Sequence, residues 1–171
     1  MKNNLKKSEL LISPKLGIYS NLYKDIYFDK YNGIKETQHN FLKANNLASR
    51  FKKSDKFIIS ELGFGTGLSF LLTLKLWKET KKPNAKLIFI SFESAPLTKI
   101  ELKQVYKYVK GLKTLSNQLI KKLPGTFQST HRIYFEADNV ELILIYDDFN
   151  CLDNFKFYVD AWFLDGFAPK K

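Results

Sequence analysis

The sequence predicts an α/β fold in which a mostly parallel β-sheet is flanked by helices. Short apolar strands alternate with segments whose apolar residues recur at helical spacing, which is the pattern of successive β-α-β units. A glycine-rich turn also joins a short buried strand directly to a helix at residues 61–68. Ligand-binding α/β sheets place such turns at the carboxyl ends of their strands. The length of 171 residues suits one domain of this kind, and two full domains would be cramped.

The first 55 residues are predicted to form an N-terminal extension, ahead of a sheet domain at residues 56–171. The extension is predicted to hold short β elements and a helix. An aromatic-rich stretch at 19–28 favours a small hairpin. Residues 34–51 predict the helix, with an end near Asn45-Asn46.

The remaining elements are predicted from short apolar runs and from the helical spacing between them. Strands are predicted at 56–60, 86–92, 132–137, 140–146 and 160–164. Helices are predicted at 68–76, 102–112 and 115–123. Only Asp138-Asn139 separates the third of these strands from the fourth, which favours a hairpin between them.

The charge of the chain is strongly positive. Lys and Arg total 28 against 17 acidic residues, and the resulting net charge of +11 favours a polyanionic partner such as nucleic acid. However, only Arg50 and Arg132 are arginines, although nucleic-acid surfaces usually recruit Arg. The joint abundance of Lys, Asn and Ile equally favours coding bias as the origin of the charge.

The composition also excludes several classes of protein. No apolar run approaches the roughly 20 residues of a membrane span, so no membrane association is expected. The single cysteine, Cys151, excludes an internal disulfide framework and predicts a reducing, cytoplasmic location. Because there are only two histidines beside it, no metal site is expected.

The segment Glu61-Leu-Gly-Phe-Gly-Thr-Gly67 is the first candidate for a binding site. Its glycines would let the backbone approach a bound molecule closely, and the N-terminus of the following helix favours a carboxylate or phosphate. An ordinary tight turn between strand and helix is the alternative. The residues predicted to bind a cofactor here are Glu61, Gly63, Gly65 and Gly67.

Acidic residues follow the next strands of the predicted sheet. Glu93 ends the second strand, where a carboxylate can accept hydrogen bonds from both hydroxyls of a ribose. Asp148 follows the strand that ends at Tyr146 and is placed to accept the amino group of an adenine, with Asp147 as its rival. Solvated acids at strand ends are the alternative for all three.

A third candidate follows the last predicted strand. Asp165 comes directly after the apolar stretch Ala161–Leu164, so its carboxylate would emerge at the mouth of a dry sheet. A carboxylate beside an aromatic ring suits an amine, because the acid accepts N–H groups while Phe167 stacks. An Asp-Gly turn without a functional role is the alternative.

Three of these motifs together resemble one protein family. They are Glu61–Leu68, Ile90–Thr98 and Asp160–Pro169. The family is the methyltransferase domain of the bifunctional tRNA 5-methylaminomethyl-2-thiouridine biosynthesis protein. The resemblance extends from about Tyr19 to the end of the chain, and its last motif is long and specific.

The resemblance implies a Rossmann-like class I methyltransferase that uses S-adenosylmethionine. Such an enzyme methylates the aminomethyl nitrogen of the wobble uridine in certain tRNAs, so tRNA is the implied partner. By the matching motifs, the three glycines would wrap the methionine part of the cofactor, Glu93 its ribose and Asp148 its adenine. Asp165, with Phe167, would face the transferred methyl group.

Larger members of the family carry a flavin-dependent oxidase half, which has no counterpart in these residues, so no flavin is expected here. The resemblance also implies that the sheet is cut after its fourth core strand, because the family motif continues beyond Pro169-Lys170. Two alternatives stay open. One is a nicotinamide-dependent oxidoreductase, whose fingerprint requires glycine where Leu68 stands. The other is a non-catalytic fragment with a partial cofactor pocket.

Overall fold

The computed structural model describes residues 5–13, 17–29, 32–147 and 149–164. Eight strands lie in these ranges: β1 (Leu10–Ser13), β2 (Gly17–Ser20), β3 (Asp25–Phe28), β4 (Lys56–Leu62), β5 (Lys86–Glu93), β6 (Ser129–Phe135), β7 (Val140–Tyr146) and β8 (Ala161–Phe163). Five α-helices accompany them: α1 (Gly33–Thr37), α2 (Leu47–Phe51), α3 (Leu68–Thr80), α4 (Lys99–Val105) and α5 (Lys113–Lys122).

The first three strands form a small antiparallel sheet in the order β1-β2-β3. Strands β2 and β3 confirm the hairpin predicted in the aromatic-rich stretch, with Ser20 opposite Asp25. The side chains of Ile18 and Phe28 point from this sheet into the main core. The small sheet is thereby fixed against the rest of the molecule.

The single helix predicted over residues 34–51 is wrong in detail, because the segment is interrupted. Helix α1 continues into a π-helical turn at Gln38–Lys43, and α2 begins only at Leu47. Between them Asn46 adopts a left-handed backbone with φ of 50°. Few residues other than Gly, Asn and Asp adopt this conformation readily, so the helix stops where the predicted Asn45-Asn46 end lies.

The main sheet has five strands in the order β6-β7-β5-β4-β8. Four of them run parallel, and β6 pairs antiparallel with β7. This arrangement confirms the predicted α/β class, the mostly parallel sheet and the hairpin around Asp138-Asn139, although its first strand spans Ser129–Phe135 where 132–137 was predicted. Because parallel strands share a direction, the carboxyl ends of β4, β5, β7 and β8 meet at one edge of the sheet.

One face of the main sheet holds the principal hydrophobic core. Apolar residues from all five helices pack against it. Aromatic rings connect its layers: Phe163 of β8 lies 5.0 Å from the ring of Phe41 and 5.8 Å from that of Phe89. Phe51 of α2 packs edge-on against both Phe57 and Trp77.

The opposite face has a much thinner cover. Its buried cluster consists of Ile90, Phe92 and Ile145, against which Cys151, Leu152 and Phe157 pack from the segment after β7. A 3-10 helix at residues 149–154 is the element that this segment contributes. No helix among the described residues is long and apolar enough to cross a membrane.

The helix predicted at 102–112 is shorter than expected, since α4 ends at Val105. Val109 and Leu112 are nevertheless buried, in the turns that follow. Their spacing therefore reflects burial on one side of an irregular segment. The hydroxyl of Tyr106 donates a hydrogen bond to the carbonyl oxygen of Thr66 at 2.8 Å, which anchors this segment to the glycine-rich turn.

Candidate functional site

The glycine-rich turn joins β4 to α3 at the carboxyl edge of the sheet, where the sequence places it. Gly63, Gly65 and Gly67 all have positive φ, at 94°, 51° and 75°. The N–H groups of Gly63 and Phe64 both donate to the carbonyl oxygen of Phe92, at 3.0 and 3.1 Å. The turn is therefore tied to the end of the neighbouring strand β5.

Glu93 connects the same two segments through its side chain. Its carboxylate accepts one hydrogen bond from the N–H of Gly65 at 2.8 Å and another from the N–H of Ala95 at 2.7 Å. Only 5% of Glu93 is exposed. Burial raises the pKa of the Glu93 carboxyl above its usual range, and the backbone N–H bonds partly offset this effect.

Two of the glycines are needed because other atoms approach them closely. A Cβ on Gly65 would lie 3.2 Å from the ring of Tyr27. A Cβ on Gly67 would lie 2.8 Å from the ring of Phe64. At Gly67 the ring of Phe64 would have to shift to admit a side chain, and at Gly65 the ring of Tyr27 would have to give by a few tenths of an ångström, so both positions favour glycine.

Glu61 is buried at the end of β4, with 1% of its surface exposed. Its carboxylate accepts hydrogen bonds from the hydroxyls of Ser69 on α3 and of Ser91, its register partner on β5, the latter at 2.7 Å. These two bonds hold the carboxylate at the start of α3. A negative charge is favourable there, because the N-terminus of a helix carries partial positive charge.

A cavity of about 150 Å³ lies between the glycine-rich turn and the small N-terminal sheet. Glu61 and Glu93 both line it, together with residues 63–66 of the turn. The opposite wall comes from the hairpin: Ser20, Tyr23, Asp25, Ile26 and Tyr27. Enclosed small-molecule sites are usually about 300–1,000 Å³, so the cavity has room for part of a nucleoside-type cofactor.

The hairpin wall is absent from the sequence-based prediction of the site. Tyr27 lies against Gly65, and burial raises the pKa of its hydroxyl to about 12, so it stays protonated and able to donate. The hydroxyl of Tyr23 shares a 2.7 Å hydrogen bond with Ser94, directly after Glu93. The only signal in the sequence was the density of tyrosines at residues 19–28.

The structure brings together five of the eight predicted site residues, and the other three are not among the described residues. Glu61, Gly63, Gly65 and Glu93 line the cavity, and Gly67 closes the turn. Asp148, Asp165 and Phe167 lie outside the described residues. Asp147, the rival of Asp148, donates its backbone N–H to the carbonyl of Glu93, while its side chain accepts from Gln128 at 3.0 Å.

The arrangement suits a cofactor that has both a charged amino-acid part and hydroxyl groups. Buried carboxylates can accept from ammonium or hydroxyl donors, and the glycine backbone permits close approach. The fold and these residues thus fit the cofactor that the resemblance implies. No cluster of three metal-ligating side chains occurs within the described ranges.

Comparisons with known proteins agree with this geometry. Residues 110–171 match a protein family described as S-adenosyl-L-methionine-dependent methyltransferase. The chain is 42% identical over 159 residues to the tRNA 5-methylaminomethyl-2-thiouridine biosynthesis bifunctional protein MnmC of Marinomonas sp., covering 90% of this chain and 23% of that protein. The protein of the same name from Idiomarina loihiensis is 39% identical over 160 residues, covering 89% and 26%.

A solved structure shares the fold. The crystal structure of MNMC2 from Aquifex aeolicus superposes with a TM-score of 0.68 at 20% identity, covering 98% of this chain and 52% of that chain. At that identity the likeness shows the fold alone. The chain spans about a quarter of the length of the curated relatives that it matches.

Residues 110–171 thus match the S-adenosylmethionine-dependent methyltransferases, and the mostly parallel α/β sheet agrees with the Rossmann-like fold of that class. Within this class, the part that the chain shares with the bifunctional relatives is their methyltransferase portion. The family predicted from the three motifs is thereby confirmed. The nicotinamide-dependent alternative is not favoured by any of these matches.

Proposed function

We propose that this chain transfers a methyl group from S-adenosylmethionine to the aminomethyl nitrogen of 5-aminomethyl-(2-thio)uridine at the tRNA wobble position, in the cytoplasm. The main support is the buried Glu93 carboxylate, bonded to the Gly65 N–H inside a cavity at the carboxyl edge of the sheet. The 42% identity to a protein named for this tRNA modification supports the substrate.

The cofactor site is proposed to consist of the glycine-rich turn and the acids beside it. Each oxygen of the Glu93 carboxylate accepts a backbone N–H, from Gly65 or from Ala95, and a carboxylate has about four lone-pair sites with which it can also accept ribose hydroxyls. Glu61 is placed to balance the positive charge of the ammonium group in the amino-acid part of the cofactor. Asp148 is proposed to contact its adenine. The cofactor itself supplies an activated methyl group.

The catalytic step is proposed to depend on Asp165 and Phe167. Phe163, two residues before Asp165, pairs with Glu61 in the register of β8 and β4, so the chain reaches the carboxyl edge beside the cavity. An Asp there would orient the amine and accept its proton, because the nitrogen attacks in its neutral form. Phe167 would stack on the base.

The partner for the preceding step is proposed to be a flavin-dependent oxidase, either separate or fused. The relatives are named as bifunctional, and this chain covers only about a quarter of each. The oxidase would expose the amine that the methyltransferase then modifies.

Calorimetry with S-adenosylhomocysteine and with NAD tests the cofactor. We expect binding of the former and none of the latter, and Glu93→Ala should weaken binding by about 1.5–3 kcal/mol, the usual worth of a hydrogen bond to a charged group. Glu136→Ala is the matched control, since Glu136 lies on an exposed turn and pairs with Lys122. Equal affinity in the Glu93 variant and the parent would remove this residue from the site.

Single-turnover methyl transfer to tRNA bearing the 5-aminomethyl group tests the catalytic step. Asp165→Ala should retain cofactor binding and slow transfer by about 10²–10⁴-fold, the usual worth of a positioned proton acceptor. Asp55→Ala is the control, because Asp55 lies before β4 at the opposite edge and pairs with Lys82 on the surface. A rate within threefold of the parent would contradict the role of Asp165, and loss of cofactor binding would move it into the cofactor site.

A further inference from the structure

A second cavity, of about 340 Å³, lies beside the first and has no part in the cofactor site. It is a groove between the start of the chain and the loop that follows β5. The residues lining this basic groove are Leu5, Lys6, Lys7, Ser8, Pro96, Thr98, Glu101 and Thr126.

The basic groove meets the cofactor cavity at Ser94 and Tyr23. The backbone N–H of Lys6 donates to the carbonyl oxygen of Ser94 at 2.9 Å, and Ser94 shares its hydroxyl bond with Tyr23. The ammonium group of Lys6 lies 5.9 Å from the centre of the Tyr23 ring. Since Tyr23 lines the first cavity, Lys6 stands at the boundary between the two spaces.

The charges of the basic groove favour an anion. Lys6 and Lys7 are exposed, and neither forms an ion pair with another described residue. The one acid of the groove, Glu101, accepts hydrogen bonds from Thr98 and from the hydroxyl of Ser8, at 2.7 and 3.1 Å. Its carboxylate is therefore already occupied by hydrogen-bond donors of the protein.

The two arginines of the chain are engaged elsewhere. Arg132 forms an ion pair with the buried Glu141, and Arg50 donates to the carbonyl of Asp160 at 2.7 Å. The cations available for a polyanion beside the cofactor cavity are consequently lysines. Lysine binds phosphate as a point charge and does not need bidentate geometry.

We propose that the basic groove binds the phosphate backbone of RNA next to the nucleotide that is methylated, with Lys6 and Lys7 as the phosphate contacts. This inference rests on the proposed function, since it places the RNA strand relative to that site. It also gives part of the +11 charge a role. The strand would pass Lys6 and reach the cofactor cavity across Tyr23.

Binding of an unmodified tRNA transcript, followed by fluorescence anisotropy over a series of salt concentrations, tests the proposal. The double variant Lys6→Ala/Lys7→Ala should reduce the slope of log affinity against log salt by about 1.4–1.8, since each phosphate contact contributes about 0.7–0.9. At about 0.1 M salt this corresponds to a loss of about 25- to 60-fold in affinity.

The control is Lys52→Ala/Lys53→Ala. These two exposed lysines are also adjacent in sequence and precede β4, at the opposite edge of the sheet. The control should keep the slope and the affinity of the parent. Both double variants should bind S-adenosylhomocysteine as the parent does, because none of the four lysines lines the cofactor cavity.

Equal slopes in the parent and in Lys6→Ala/Lys7→Ala would overturn the proposed RNA-binding role of the groove and leave the proposed function intact. Equal losses in both double variants would show a response to total charge and would also overturn it. If the parent binds the cofactor but no RNA at any salt concentration, the proposal of an RNA substrate is wrong, and so is the RNA-binding role of the groove.

Discussion

Glu93 is a buried carboxyl group that accepts backbone N–H groups. Because its pKa differs between the folded and the unfolded state, its contribution to stability depends on pH. Its pKa is raised by burial above the ordinary value of 4.5. Between the unfolded and the folded pKa, the folded protein keeps a proton that the unfolded chain has released. The stabilising contribution of Glu93 is therefore complete below pH 4.5 and is lost as the pH rises through the folded pKa.

Comparison of Glu93→Gln with the parent measures this effect. The variant loses an acceptor towards one backbone N–H at every pH, but it never has to bury a charge. Its destabilisation relative to the parent should hence be greatest, and constant, below about pH 4.5 and should become smaller at neutral pH. Urea denaturation at a series of pH values gives both free energies of unfolding. The lowered pKa values of Glu136 and Glu141 act equally in both proteins, so they cancel in the difference. A difference that does not vary with pH would contradict the prediction.

Gly65 combines a left-handed backbone with a close ring contact, and Gly111 allows the two effects to be separated. Both have positive φ, at 51° and 79°, but a Cβ would meet Tyr27 at Gly65 and nothing within 4 Å at Gly111. Each change to Ala should cost roughly 1–2 kcal/mol of stability from the backbone alone. Only Gly65→Ala should also weaken the binding of S-adenosylhomocysteine, by displacing Tyr27. Equal affinities in the two variants would exclude a role of this contact in binding.

The sequence predicted the residues of the turn because their positions follow from local rules. A strand, spaced glycines and a helix place Gly63, Gly65 and Gly67 at one edge whatever else the fold does, and Glu93 follows from the parallel neighbour. Tyr23 and Tyr27 lie 40 and 36 positions before Gly63 in the sequence. Their approach depends on how the small sheet packs against the core, and no periodicity in the chain encodes that contact.

At the level of elements, the strands were predicted more accurately than the helices. Buried parallel strands such as β5 and β7 are short apolar runs, which few other structures produce. The segments at 33–51 and 99–112 have helical apolar spacing and are nevertheless interrupted. In both, buried residues on one side keep the spacing while the backbone departs from the helix, so spacing alone cannot detect the break.

The interruption of the helical segment at Asn46 can be tested by substitution. Asn46→Ala should destabilise the protein by about 1–2 kcal/mol, because alanine adopts the left-handed conformation poorly. Asn46→Gly should leave stability nearly unchanged. In contrast, Asn117 lies exposed within α5, where Asn117→Ala should raise stability slightly through helix propensity. Chemical denaturation of the three variants suffices, and a stabilising Asn46→Ala would show that the segment can become one continuous helix.

For the whole molecule, the unequal cover of the two sheet faces is the dominant feature. Parallel sheets are normally covered on both faces. Here the helices pack on one face, while Ile58, Ile88 and Ile143 on the other are only half-buried. A cluster formed by Glu141, Lys86 and Arg132 lies on that thinly covered face, at the amino end of β7. The remaining apolar surface of the face extends to β8.

Strand β8 forms an edge of the described sheet, with β4 as its neighbour. Trp162 is 40% exposed and Leu164 66% exposed beside it. Exposed apolar edges favour association, because strand pairing and apolar burial then add to each other. We therefore expect the chain to self-associate at micromolar concentration, as measured by sedimentation velocity. The net charge of +11 opposes association, so added salt should strengthen it by screening.

Trp162→Lys/Leu164→Lys should shift the protein towards monomer, since charged residues on an edge strand block further pairing. Ile100→Lys is the matched control: Ile100 is 71% exposed and equally apolar, but it lies on helix α4, away from any strand edge.

If association depended on exposed apolar surface in general, both variants would reduce it equally. If it depends on the edge, only the β8 variant becomes monomeric, and its cofactor affinity stays that of the parent because neither changed residue lines the cavity. A parent that sediments as a monomer at all salt concentrations would refute the expectation.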